Sequence, residues 1–234
     1  MSELHKPQVA IMASGEGTTA VAFMLAVVAG RIDAEVPLVI SNNREPAIFQ
    51  KVGFLNRAHR LGTEMLAVTG ADYPLRRGEE RARGLNPWQS ERMARLMQDY
   101  DVDHVALMGF MKIVTGDLLS EYGYLPEQHT SIYQARMSNT HPGPLPLTAD
   151  TMGAEASAKV LAAGRKTSEH TVHLVSAGVD QGPVIARHRV KAVAGDTKAT
   201  LFRRVHEVEM RELPRDIDLF LQEQTVYYGH PEAG

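Results

Sequence analysis

Gln8-Val9-Ala10-Ile11-Met12-Ala13, followed by Ser14-Gly15-Glu16-Gly17-Thr18-Thr19, decides the fold class of this chain. A strand-length apolar run meets two glycines and two threonines, and the helix-length apolar stretch Ala20 to Ala29 comes next. The succession reads as strand, glycine loop, helix. Glycine lets the backbone approach a ligand closely, and the N–H groups at a helix start favour an anion. Gly15, Glu16, Gly17, Thr18 and Thr19 are therefore a candidate phosphate loop. A tight turn with no ligand is the alternative, since such loops are common in α/β folds.

The spacing Gly15-x-Gly17-x-x-Ala20 also satisfies a loose dinucleotide fingerprint, which requires an acidic residue at the end of the second strand. That strand reads as Val36 to Ile40 and ends in Ser41-Asn42-Asn43, with Glu35 at its opposite end. The missing acid argues against a nicotinamide cofactor.

Further along, Pro46 to Asn56 reads as a helix, Ala58 to Leu61 as a short third strand, and Met65 to Val68 as another apolar piece. Gly70 to Asn86, with Arg76, Arg77, Arg81 and Arg83, reads as an exposed charged loop. Pro87 to Tyr100 places Trp88, Met93, Leu96 and Met97 at helical spacing, and His104 to Met108 reads as a buried parallel strand. Open α/β sheets hold ligands at the carboxyl ends of their strands. Gly109-Phe110-Met111-Lys112-Ile113 stands there, and Phe110 with Met111 can wall an aromatic cofactor or simply fill core.

The 234 residues suffice for one large domain, and the formal charge of −3 comes with no basic stripe, so a small-molecule partner is expected rather than nucleic acid. There is no cysteine, which excludes disulfides, thiolate metal sites and a cysteine nucleophile, and fits a cytoplasmic setting. No apolar run is long enough for a membrane span. Monomer and homodimer stay open.

Ser138-Asn139-Thr140-His141-Pro142-Gly143-Pro144-Leu145-Pro146 carries the chemistry. In extended backbone, residues two apart project to one side, and Pro142 keeps His141 out of the helical region. Asn139 and His141 can then hold one oxyanion, and the imidazole can move a proton near neutral pH. A helix reads from Met152 to Ala163, and His170 to Val175 is a strand whose alternation separates His170 and Val172 from Thr171 and His173. Ser176 to Pro183 returns the chain into the strand Val184 to Val190. In that turn, Asp180 can orient an imidazole or serve only as a turn former. Asn139, His141 and Asp180 suit acyl-type transfer to an amine without a metal or a covalent intermediate. Asp196-Thr197 opens the last helix, which Pro214 is expected to kink or divide, and residues 225–234 read as a tail.

These pieces resemble the phosphoribosylglycinamide formyltransferases over Val9 to about Leu221. The resemblance rests on Ser14 to Gly17, Ser41 to Asn43, Gly109 to Ile113, Asn139 to Pro142, Thr171 to Val175, Gly178 to Pro183 and Arg204 to Glu209. It implies an α/β, Rossmann-like formyltransferase domain over residues 1–224, with a mostly parallel central sheet flanked by helices. It further implies formyl transfer from 10-formyltetrahydrofolate to the amine of glycinamide ribonucleotide in purine synthesis, with no metal. Asn139, His141 and Asp180 take the catalytic roles, with His173 and Thr171 supporting. Gly15 to Thr19 takes the substrate phosphate and Glu209 the glycinamide. Phe110, Met111, Lys112, Ile113, Val114, Ala177, Gly178 and Val179 form the folate pocket.

Departures bear on the acceptor. Thr19 replaces a usual Asn, Lys112 a usual Arg, Met210 the usual His after Glu209, and Gly143-Pro144 the common Ser-Leu, while residues 76–86 and 128–136 look longer than usual. Another phosphorylated or nucleotide-linked amine, or water in a formyltetrahydrofolate hydrolase, are the enzymatic alternatives. A nucleotide-binding module without chemistry is the third. The phosphate loop, and the absence of a regulatory segment before Val9, favour a phosphorylated amine.

Overall fold

The computed structural model describes residues 6–72 and 83–229. The chain divides into two compact units, Met1–Gly123 and Tyr124–Gly234, where the sequence reading has one domain over 1–224.

The first unit alternates strand and helix: β1 (Val9–Met12), α1 (Thr18–Val28), β2 (Leu38–Ser41), α2 (Ala47–His59), β3 (Glu64–Ala67), α3 (Pro87–Asp99), β4 (His104–Leu107) and α4 (Gly116–Tyr122). Its strand order is β3-β2-β1-β4, with every pair parallel. The residues of β1, β2 and β4 are buried throughout, as strands covered on both faces must be. Phe23 and Met24 of α1, Ile48 and Val52 of α2, Met93 and Met97 of α3 and Leu118 of α4 supply the covering apolar faces. Asn86 and Gln89 form a reciprocal capping box at the start of α3, and Pro87 fills the first helical position.

The second unit contains β5 (Met137–His141), α5 (Ala154–Ala162), β6 (Thr167–Leu174), β7 (Val184–Lys191) and α6 (Lys198–Gly229). Its strands run β5-β6-β7, antiparallel. Val160, Val190, Leu201 and Val205 make one core cluster, and Ala135, Leu174 and Phe220 another. The α/β class is borne out, and parallel pairings outnumber antiparallel ones.

Three local expectations are corrected. Ala58 and His59 belong to α2, whose apolar face runs on to Leu55, and the third strand is Glu64–Ala67. Pro214 does not divide the last helix: α6 continues through it. Residues 225–229, read as part of a tail, are helical, with Gln224 donating to the carbonyls of Tyr133 and Ala135 at 2.8 Å each. Of the arginines read as a charged loop, Arg76, Arg77 and Arg81 lie outside the described residues.

Candidate active site

The glycine loop is held from below by the end of β2. Ser14 Oγ donates to Asn42 Oδ1 and accepts from the Met111 N–H at 2.7 Å, while Asn43 Nδ2 donates to the Ser14 carbonyl. This explains Ser41-Asn42-Asn43: the amides tie down the loop where a ribose-binding acid would stand in a dinucleotide site. Gly17 precedes α1 in the left-handed region, and no side chain caps the helix there. Gly15, Glu16 and Thr18 are exposed, whereas Thr19, in place of the usual Asn, is buried. Lys51 of α2 was missed in the sequence because a lone helical lysine carries no motif. Its Nζ meets the Glu16 carbonyl at 2.7 Å and Glu16 Oε2 at 2.8 Å, which brings a cation to the loop.

In the same unit, Gly109 turns the chain out of β4 in the left-handed region, leaving Met111 56% exposed and Phe110, Lys112 and Ile113 half-buried, with Val114 buried. Ile113 pairs with Gly84, which fixes the segment.

The second unit assembles the polar set. Asn139 and His141 lie two apart on β5, and the antiparallel register places Asn139 opposite His173 and His141 opposite Thr171. The sequence reading made Asn139 and His141 a loop. They are strand residues, and the strand supplies the common direction that the loop was invoked for.

His173 Nδ1 donates to the Leu174 carbonyl at 2.9 Å, and its Nε2 lies 3.1 Å from Asn139 Nδ2. The same Nε2 lies 3.4 Å from Asp180 Oδ1, and the other carboxylate oxygen lies 3.5 Å from His141 Nδ1. Asp180 reaches this position from the β6–β7 turn in a left-handed conformation that Asp tolerates. Its Oδ2 also accepts from the Asp150 N–H at 3.0 Å. The turn flanking Asp180 is tight: a Cβ on Gly182 would collide with the Leu174 carbonyl carbon at 2.8 Å. Ala177, Gly178 and Val179 sit in the same turn.

His141 is fixed from its far side by Thr148. The Thr148 hydroxyl donates to the Pro144 carbonyl at 3.1 Å, so it accepts from His141 Nε2, 2.9 Å away. The proton of the neutral imidazole is thereby placed on Nε2, and Nδ1 faces Asp180. Thr171 ties this loop down by donating to the Gly143 carbonyl at 2.9 Å. A Cβ on Gly143 would sit 2.9 Å from Thr148 Cβ, so the glycine that replaces the common Ser is what admits Thr148 beneath the imidazole. Thr148 escaped sequence reading because it lies seven residues beyond His141 across three prolines.

Burial pushes the His141 imidazole below its ordinary value and outweighs the opposite pull of Asp180. Burial also pushes the Asp180 carboxyl up, but the His173 and His141 contacts and the Asp150 N–H outweigh it and hold the group below the usual carboxylate range. The resting pair is thus a carboxylate beside a neutral imidazole, which can accept a proton between them.

Glu209 of α6 is 6% exposed, a buried carboxylate. Its Oε2 lies 3.2 Å from His206 Nδ1, and this hydrogen bond raises the affinity of His206 for a proton. The field of Glu209 also reaches His141. Met210 occupies the usual His position, but His206, one turn earlier, brings an imidazole to the same carboxylate.

On this α/β fold, a glycine loop stands at a helix start in one unit, and an amide, two imidazoles and a carboxylate gather in the other. The chain belongs to the formyl transferase family, whose model matches residues 7–217. It is 29% identical over 217 residues to a trifunctional purine biosynthetic protein adenosine-3 of Gallus gallus, a match covering 93% of this chain and 19% of that protein. A phosphoribosylglycinamide formyltransferase of Mycobacterium tuberculosis is 37% identical over 114 residues, 49% of this chain and 46% of that one. The solved glycinamide ribonucleotide transformylase 1 of Symbiobacterium toebii superposes with a TM-score of 0.72 at 33% identity, covering 94% of this chain and 89% of its own. The chain thus spans under a fifth of the trifunctional protein and nearly all of the bacterial transformylase.

Proposed function

We propose that this chain transfers the formyl group of 10-formyltetrahydrofolate to the amine of glycinamide ribonucleotide, a step of purine synthesis, with residues 1–224 acting as one functional domain in the cytoplasm. The observation that carries the reading is the Asp180 carboxylate set between His141 Nδ1 and His173 Nε2, with Asn139 on the same face of β5 as His141. The names of the relatives support formyl transfer and its acceptor.

In this mechanism the amine nitrogen attacks the formyl carbon, and the carbonyl oxygen becomes an oxyanion. Asn139 stabilises that charge by hydrogen bonding, and His141 does so as its imidazole gains a proton. Asp180 takes the proton leaving the amine, directly or through water, and the His141 contact shares the load. Collapse of the tetrahedral intermediate breaks the bond from carbon to N10. The proton taken from the amine passes from the Asp180 and His141 pair to N10, which leaves as tetrahydrofolate, and the formyl amide remains on the acceptor. No metal is required for these steps. Gly15 to Thr19, with Lys51, would hold the phosphate, and Glu209 would engage the glycinamide. Phe110 to Val114 and Ala177 to Val179 would contact the folate.

Purified chain is mixed with 10-formyltetrahydrofolate with and without glycinamide ribonucleotide, and release of tetrahydrofolate is followed by absorbance. Turnover that needs the ribonucleotide, and that His141→Ala abolishes, supports the reading. Unchanged turnover in His141→Ala overturns it.

A further inference from the structure

Away from Asp180, the second unit gathers His170 of β6, His188 of β7 and Asp216 of α6. The two histidines are directly paired across the antiparallel register, with rings stacked at 5.9 Å between centroids and 12° between planes. His188 Nε2 lies 2.9 Å from both carboxylate oxygens of Asp216. One ligand atom from each of the three residues lies within 4.8 Å of the others.

His170 is fully buried, and its Nε2 lies 2.8 Å from Thr140 Oγ1. Its Nδ1 has no hydrogen-bond partner among the described residues. A buried ring nitrogen without a partner is costly, so its persistence asks for an explanation. None of the three residues takes part in the proposed formyl transfer.

We infer that His170, His188 and Asp216 form a binding site for a divalent transition metal of the zinc type, separate from the catalytic residues and structural in role. Two imidazoles and one carboxylate suit borderline ions rather than magnesium or calcium. The His188 and Asp216 atoms, hydrogen-bonded at 2.9 Å, would open to the separation of tetrahedral ligands once an ion replaces the proton between them. His170 must draw in: tetrahedral ligands lie about 3.3 Å apart. His188, half-buried at the strand surface, gives the ion its entry. The ion would tie α6 to both strands of the hairpin.

The test is titration of chelator-treated full-length chain with Co2+, read by visible absorption, and with Zn2+, read by calorimetry and by the thermal midpoint. One ion per chain is expected, with a raised midpoint. His188→Ala and Asp216→Asn should each weaken binding at least tenfold while the metal-free midpoints show both variants folded. Asp216→Asn keeps the shape of the side chain, so it reports on ligation even if His188→Ala unfolds. Absence of stoichiometric binding, or binding that survives Asp216→Asn unchanged, overturns the inference.

Discussion

Asp180 Oδ2 stands 3.5 Å from His141 Nδ1, longer than a hydrogen bond, while the opposite ring nitrogen is pinned 2.9 Å from Thr148 Oγ1. The imidazole therefore presents an unprotonated nitrogen to a carboxylate, and a proton arriving between them is strongly wanted. Asp180→Asn preserves the shape and removes that demand. It is expected to lower kcat by about 10²–10⁴, the usual worth of a positioned proton acceptor, with a much smaller change in KM. Steady-state kinetics on the purified variant decides.

The same pair sets the pH dependence. An imidazolium at position 141 would occupy Asp180 as an ion pair and silence it. Because burial lowers the His141 value below 6.5, activity should fall only as pH drops through that depressed value. After division by the measured ionisation of the acceptor amine, the acid limb of kcat/KM lies below 6.5. An enzyme limb above that value would contradict the assignment.

Thr148 is a positioning residue for His141, and Gly143 makes room for it. Thr148→Val is expected to reduce kcat about ten- to a hundredfold, corresponding to one buried hydrogen bond of about 1–3 kcal/mol. Gly143→Ala, which displaces Thr148, should act through the same contact. The double variant then falls short of the sum of the single effects, and full additivity would dissociate the two residues.

At the glycine loop, Lys51 contacts Glu16 through both the backbone carbonyl and the carboxylate. Lys51→Ala should raise KM for the phosphorylated acceptor about tenfold, with kcat nearly unchanged, because the charge acts in binding and not at the reacting carbon. Inorganic phosphate should compete less well against this variant than against the parent chain.

Asp196, 3% exposed at its side chain, bonds Arg204, the Val193 N–H and Thr200 just before α6. The Arg204 bond holds its carboxyl at about 2, below the ordinary 3.8. A depressed carboxylate stabilises the fold above its unfolded value, and that contribution is lost as pH falls through the folded one. Asp196→Asn should therefore lower the thermal midpoint at pH 7 and flatten its decline between 3.8 and about 2. Thermal unfolding across that window reads both effects.

Much of this was legible in the chain itself. Periodicity located β1, α1, β2 and α3, and the Asn139/His141 spacing survived a change of setting from loop to strand because alternation belongs to extended backbone in either. Boundaries depending on helix length were less legible: α2 absorbs Ala58 and His59, and α6 passes through Pro214, whose position no local pattern distinguishes from a break. Contacts made by chain return were not legible at all. Thr148 beneath His141, Lys51 at Glu16, and His170 facing His188 each pair residues through tertiary placement that no short motif encodes.

The most direct test follows the carbon itself. Supplied with 10-formyltetrahydrofolate labelled with 13C at the formyl group and with glycinamide ribonucleotide, the chain should place the label on the acceptor nitrogen as an amide, in equal amount to the tetrahydrofolate formed, as seen by 13C NMR. Label recovered as formate, or left on N10 while His141 and Asp180 are intact, would contradict the account.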